Sequence, residues 1–316
     1  MTVHIVFPDR DSLPVPLPEF LFSHRLTCFA ETAPDELPAR CADAEVLIVN
    51  KAPLSRALLQ GLPRLKLIAV AATGVNNVDL AACRDLKIAV NNVRHYGDDT
   101  VAEHAFMLML ALSRGMPAYL DAVRAGAWSR SRQFCLYEAP VRDLGGACLV
   151  VVGSGGIGQA LAARARAFGM TVLFAERKGV ASPRPGYCRF EEGLARADVL
   201  SLHCLLTPET RGLIGRAELA AMKRGALLIN TARGELVEET ALLQALESGH
   251  LGGAGLDVLR VEPPPADAPL LSSALPNLIV TPHVAWASEQ AMARLAAQVV
   301  DNVTAFLAGE ARNRVV

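Results

Sequence analysis

Residues 148–176 read CLVVVGSGGIGQALAARARAFGMTVLFAE: an apolar run, a glycine-rich turn, an amphipathic stretch and a second apolar run. Few folds accept that order. The first run fits a strand buried on both faces. A helix is predicted to begin inside the turn, because Ile157, Leu161, Ala165 and Phe168 recur on one face. The turn itself, Gly153-Ser154-Gly155-Gly156-Ile157-Gly158, is a G-x-G-x-x-G. Alone it is a weak signal, equally suited to a structural turn. Between a strand and a helix it offers unpartnered helix amides to a phosphate. Glu176 then ends the next strand, where an acidic residue meets the ribose hydroxyls of a dinucleotide. In this division of labour Gly153 permits the tight turn, Gly155 lets the pyrophosphate approach and Gly158 lets helix and strand pack closely. Gly156 and Ile157 complete the cradle.

Glu176 favours NAD(H), since a carboxylate repels a 2′-phosphate. Arg177 and Lys178 follow at once and are suited to hold that phosphate, so NADP(H) stays open.

The rest of the chain alternates strand and helix patterns. Strand candidates in the first third are VHIVF, LTCFA, EVLIV, LIAVA and KIAV; in the second series they are ACLVVVG, TVLFAE, ADVLSLHC, GALLINTA, GGAGLDV and NLIVTPH. Thr100-Val101-Ala102-Glu103 has the form of a capping box opening a long apolar helix that stops near Gly115. A last amphipathic helix carries Met292, Leu295, Val299, Val303, Phe306 and Leu307 on one face, with Ser288 as its cap and Gly309 as its stop. The expected fold is α/β: two Rossmann-like or flavodoxin-like domains with parallel sheets. A nucleotide domain, 99–287, is inserted into a substrate domain formed by 1–98 and 288–316.

With 316 residues, 52% hydrophobic and 20% charged, the chain has ample material for two cores. A net charge of −1 removes the electrostatic case for nucleic acid or an anionic membrane as partner. Its apolar runs fall well below the ~18–20 residues of a membrane span. The charged start MTVHIVFPDRD is unlike a signal peptide, so the expected place is the cytoplasm. The seven cysteines form no C-x-x-C pair and are read as reduced core residues; no metal site is expected.

Three further residues follow predicted strands and so gather at the carboxyl edge, where open α/β sheets bind ligands. They are Arg233 in LLINTARGELVEE, Glu262 in GLDVLRVEPPP and His283 in NLIVTPHVAWAS. Their motifs resemble those of the D-isomer-specific 2-hydroxyacid dehydrogenases, and the reduction of a 2-keto acid that this resemblance implies needs a hydride, a proton for the nascent alkoxide and a cation for the carboxylate. A nicotinamide supplies the first. His283 can supply the proton, and Glu262 paired with it would stabilise the imidazolium and fix the ring. Arg233 can grip the carboxylate in a fork. The competing readings are a surface ion pair, a turn residue beside prolines and a buried structural histidine. Among the other histidines, His104 and His203 are expected to be structural or cofactor-lining, and His95 is a candidate for the site's margin. His4, His24 and His250 are expected to be structural or exposed.

These motifs, with AATGVNNVDL, TVAEHAF, LINTARGELV and GAGLDV, span essentially the whole chain. Together they resemble the D-isomer-specific 2-hydroxyacid dehydrogenases; NNVD and HVAWAS resemble the glycerate dehydrogenase/hydroxypyruvate reductase branch. The resemblance implies reduction of hydroxypyruvate to D-glycerate, glyoxylate as a side substrate, a homodimer with the long capping-box helix and 116–140 at the interface, and Arg233, Glu262 and His283 as the catalytic set. It further implies that the Gly74 and Val75 amides, with Asn76, meet the substrate carboxylate. Lys51 and Trp286 are candidate substrate neighbours. Thr73, Val101, Cys204, Thr231, Ala232 and Asp257 are candidate cofactor neighbours, with Asp257 accepting from the nicotinamide amide. The chain departs from the family at His203-Cys204-Leu205, where a proline often follows, which frees an amide and loosens the turn. Two other functions were weighed. A nucleotide-sensing corepressor-like binding protein would not need Arg, Glu and His together. A formate or phosphite dehydrogenase has no keto group that calls for a His–Glu relay.

Overall fold

A computed structural model describes residues 2–316. Two all-parallel sheets account for the strands. The first holds β1 (Val3–Phe7), β2 (His24–Cys28), β3 (Val46–Val49), β4 (Leu67–Val70) and β5 (Ala89–Asn91), in the order β2-β1-β3-β4-β5. The second holds β6 (Cys148–Val152), β7 (Thr171–Ala175), β8 (Tyr187–Cys188), β9 (Val199–Leu202), β10 (Leu227–Asn230), β11 (Gly253–Leu256) and β12 (Leu278–Val280), in the order β12-β11-β10-β9-β6-β7-β8. Strands β3, β4, β9, β10 and β11 are buried at every position, which is why they read as apolar runs broken only by Ser201 in β9 and Asn230 at the end of β10.

The chain falls into two compact units, one running to Gly97 and resuming at Ala287–Val316, the other Asp98–Trp286. The first buries both faces of its sheet: Leu47, Val49, Ile68 and Val70 pack on Leu37, Leu59 and Cys83, and Ile48, Leu67 and Ala69 are buried on the opposite face. The second has a core on each side of its sheet. Leu200, Leu228 and Leu256 face one way, Leu149, Val151 and Ile229 the other.

Two local expectations are corrected. Thr100 does not cap its helix, which starts earlier as Asp98–Ser113. Asp98 and Asp99 occupy the first turn, where acidic side chains favour the positive helix end, and Glu103 turns outward to Arg164 at 3.0 Å. The cysteines are not all core residues: Cys41, Cys83 and Cys188 are buried, whereas Cys28 is exposed. All seven are unbridged.

The Glu289–Leu307 helix starts as the sequence predicts, with Ser288 Oγ accepting from the Ala291 amide. Its buried face also contains a polar residue that apolar periodicity does not reveal. Asn302 is fully buried; its Nδ2 donates to the Asn92 carbonyl at 2.8 Å and its Oδ1 accepts from Asn313 Nδ2 at 3.1 Å. Replacing it strands a buried carbonyl. Asn302→Ala should therefore cost about 1–3 kcal/mol, read as a lowered denaturant midpoint; an unchanged midpoint would show that the clamp contributes nothing.

Candidate active site

The second sheet reverses its strand order between β6 and β9, the point at which open α/β sheets bind ligands. The glycine turn leaves β6 there. Gly153 has φ +103°, and a Cβ on it would lie 2.5 Å from the His203 carbonyl oxygen at the end of β9. A Cβ on Gly158 would lie 2.1 Å from the Gly153 carbonyl oxygen, so helix Gly156–Ala167 packs directly on the turn. Gly155 faces open space. The cap residue, Gly155, has no side chain to spend on the first amides of this helix, which suits them to an anion. Gly156 has Asp98 beside it: a Cβ would come within 1.8 Å of the Asp98 carboxylate. Two buried polar atoms near these strand ends, Thr231 Oγ1 and His203 Nδ1, have no hydrogen-bond partner among the described residues. Open approach at Gly155, uncapped amides and unspent buried donors suit a dinucleotide.

His203 is held from its other nitrogen, Nε2 lying 2.8 Å from Ser201 Oγ. Burial pushes its pKa down to about 4. Cys204 follows, its thiol pushed up to about 11 by burial. Leu205, in the place of the family's proline, is exposed, and Thr210 closes the turn by donating to the Leu205 carbonyl at 2.7 Å. Glu176 is held by Arg184, and Lys178 by Glu218 at 2.7 Å.

Arg233 follows β10. Asn230, at 1% exposure, fixes it from behind: Oδ1 accepts from the Ala232 amide at 3.0 Å and Nδ2 donates to the Arg233 carbonyl at 2.8 Å. Arg233 Nη1 donates to the Ala232 carbonyl at 2.6 Å. Gly234 lets the Leu259 backbone approach; a Cβ would lie 2.0 Å from it. That contact joins the Arg233 turn to the loop that carries Glu262.

His283 and Glu262 come together. Nδ1 lies 2.5 Å from Glu262 Oε2, and the other carboxylate oxygen accepts from the Leu259 amide at 2.9 Å. His283 has φ +55°, a left-handed conformation that a non-glycine residue adopts only when its surroundings impose it. Asp257 supplies the constraint. At 1% exposure it accepts from the Val284 amide (2.9 Å), the Ala285 amide (2.8 Å) and Thr281 Oγ1 (2.6 Å). His104 adds a contact from Nε2 to Thr281 Oγ1 at 2.9 Å, and burial lowers its pKa against the pull of Asp257. Trp286 Nε1 donates to the His283 carbonyl at 3.0 Å, bracing the same turn. Sequence reasoning singled out Asp257 and Trp286 but not this bracing role. Asn230 and Thr281 it missed altogether, because an Asn or Thr at a strand end carries no pattern of its own.

The remaining candidates, Val101 of the second unit apart, lie in the first unit. Lys51 follows β3 in a loop whose amides of Asn50, Lys51 and Ala52 all donate to the Asp9 carboxylate, at 3.1, 2.5 and 2.8 Å. Thr73, Gly74, Val75 and Asn76 follow β4. Thr73 Oγ1 donates to the Val93 carbonyl at 2.9 Å, Asn76 is exposed, and Val75 packs partly on the core. Val101 is buried within its helix. His95 is exposed with φ +56°.

Residues 106–285 match the family model of the NAD-binding domain of D-isomer specific 2-hydroxyacid dehydrogenases. A glycerate dehydrogenase of Methylorubrum extorquens is 48% identical over 314 residues, 99% of either chain. A hydroxypyruvate reductase of Blautia hydrogenotrophica is 35% identical over 282 residues, 88% of this chain and 87% of that one. The crystal structure of the TT0316 protein of Thermus thermophilus superposes with a TM-score of 0.86 at 37% identity, over 99% of this chain and 100% of its own. An acyclic imino acid reductase in complex with NADPH and D-Arg does so with a TM-score of 0.85 at 26% identity, over 99% of this chain and 100% of its own.

His203 sets a pH dependence. Its folded pKa lies below the ordinary histidine value near 6.5, so the unfolded chain binds the proton first. Stability is complete above about pH 6.5 and falls as the pH drops toward about 4. His104 acts in the same direction. His203→Asn should flatten that slope in urea unfolding followed against pH; a slope identical to wild type would rule His203 out as its source.

Proposed function

The chain belongs to the D-isomer specific 2-hydroxyacid dehydrogenases, NAD-binding enzymes that act on 2-keto and 2-hydroxy acids, and from that premise we propose that it reduces hydroxypyruvate to D-glycerate, with glyoxylate as a second substrate. The His283–Glu262 contact at 2.5 Å carries the reading. With Nδ1 engaged by the carboxylate, Nε2 is the atom that delivers a proton to the substrate's carbonyl oxygen. Glu262 stabilises the imidazolium and keeps the ring in one orientation. Arg233, fixed through Asn230, binds the substrate carboxylate and places the carbonyl carbon for attack. Trp286 borders the substrate. Bound nicotinamide supplies the hydride. The glycine turn holds the pyrophosphate, and Val101, Cys204, Thr231, Ala232 and Asp257 surround the cofactor. NAD(H) is an expected partner of this site, and NADP(H) is not excluded from it.

Assaying 2-keto acids with NADH tests the substrate. Hydroxypyruvate and glyoxylate should give the highest kcat/KM; pyruvate or a bulkier acid at the top would end the glycerate assignment. His283→Gln should lower kcat by about 10²- to 10⁴-fold and leave NADH binding intact. Near-normal turnover would remove the histidine from proton transfer.

We further propose a homodimer formed through residues 116–140. Neither helix Met116–Arg124 nor helix Ala127–Arg130 buries a residue. Met116, Leu120, Val123, Trp128, Phe134 and Tyr137 are all exposed there. An apolar surface this concentrated is typical of an interface and rare on a monomer, and a second copy of the chain is the occupant we assign. Sedimentation should show a dimer, and Leu120→Asp with Phe134→Asp should release monomers that keep their helical content. A wild-type monomer would contradict the assignment.

A further inference from the structure

Glu176 ends β7 where the ribose of a dinucleotide is expected, yet its carboxylate is already spent. Oε1 accepts from the Arg177 amide at 2.9 Å and Arg184 Nη2 at 3.1 Å. Oε2 accepts from Arg184 Nε at 2.6 Å and the Arg184 amide at 3.3 Å. A carboxylate has about four lone-pair sites, so these four donors leave none for ribose hydroxyls. The guanidinium also cancels its charge, and the hydrogen bond to Arg184 draws its pKa down to about 2.

Arg184 is braced from its other face. Its guanidinium carbon lies 4.1 Å from the centroid of the Tyr187 ring. The Tyr187 hydroxyl in turn donates to the Ser154 hydroxyl, inside the glycine turn. Acid, arginine, tyrosine and glycine turn form one connected cluster at the ends of β6 and β7. Lys178 is tied instead to Glu218.

We propose that Arg184 sets cofactor choice at the ribose 2′ position. By saturating Glu176 it removes both features with which that acid selects an unphosphorylated ribose, its available acceptor oxygens and its negative charge. The site therefore admits a 2′-phosphate, and the protein binds NADPH beside NADH. This rests on the dinucleotide reading of the unit, whichever keto acid is reduced.

The test is calorimetric titration with NADH and with NADPH, without keto acid, of wild type, R184Q and the double variant R184Q/E176Q. Wild type should bind the two with Kd values within about tenfold of each other. R184Q uncovers the carboxylate and should weaken NADPH by about tenfold or more, while NADH stays within about threefold or tightens. Adding E176Q removes the exposed charge and should restore NADPH to within about threefold of wild type. Should R184Q fail to fold, E176Q alone carries the test: it leaves the guanidinium uncompensated and should tighten NADPH severalfold relative to NADH. A wild type that rejects NADPH by more than about a hundredfold overturns the proposal. So does an R184Q that weakens both nucleotides equally or neither, a double variant no better than R184Q, or an E176Q with an unchanged ratio. With no keto acid present, a wrong substrate assignment leaves these outcomes untouched, whereas failure to bind either nucleotide overturns the dinucleotide reading as well.

Discussion

The carboxylate of Asp257 is the constraint on which the reactive end of the second unit depends. It is buried, and the Val284 and Ala285 amides and the Thr281 hydroxyl converge on it. Without that acceptor the turn after β12 would have no reason to keep His283 at a positive φ. With it, the imidazole is delivered to Glu262, and Trp286 locks the carbonyl behind it. A strained residue at a reactive position is tolerated only where its neighbours over-determine it. Here three donors and one buried acceptor do so.

The same economy recurs at the next strands. Asn230 plays toward Arg233 the part that Asp257 plays toward His283: a buried polar side chain at a strand's end, spent entirely on the backbone of the loop beyond it. Gly234 then lets the Arg233 turn lie against the Leu259 backbone, and Leu259 donates to Glu262. The three groups assigned to the reaction thus follow β10, β11 and β12 in loops that buried polar side chains tie back to the strand ends by hydrogen bonds. Rigid elements hold reactive groups more accurately than loops do.

How much of this was legible in the sequence follows from what burial does to composition. Strands covered on both faces are mostly apolar, and all but one of the twelve fall in short apolar-rich stretches of the sequence. The exception, β8, is the two-residue edge Tyr187–Cys188, too short to show a period. The glycine turn is visible because Gly153 and Gly158 answer separate steric demands. Arg233, Glu262 and His283 stand out as charged or titratable residues just past apolar runs. Polar residues that serve the backbone leave no such trace. Asn302, Asn230 and Thr281 look like ordinary loop or helix residues until their partners, distant in sequence, are in place. Arg184 is a sharper case: a proline-flanked arginine in a loop becomes significant only because its side chain returns to Glu176. The capping box failed for the opposite reason. Its pattern is present, but Asp98 and Asp99 begin the helix earlier.

The loop after β3 has a further consequence. In a sheet ordered β2-β1-β3-β4-β5, the strand order reverses between β1 and β3, and a ligand would ordinarily seat itself there. Three successive amides of this chain point to that spot, a geometry that attracts anions. The anion they have is Asp9, tethered to the end of β1. A tethered group competes at an effective concentration on the order of millimolar or above, so a soluble carboxylate or phosphate meets an occupied receptor. The crevice is self-inhibited by design of the chain. Opening that crevice would take no more than the loss of the Asp9 side chain.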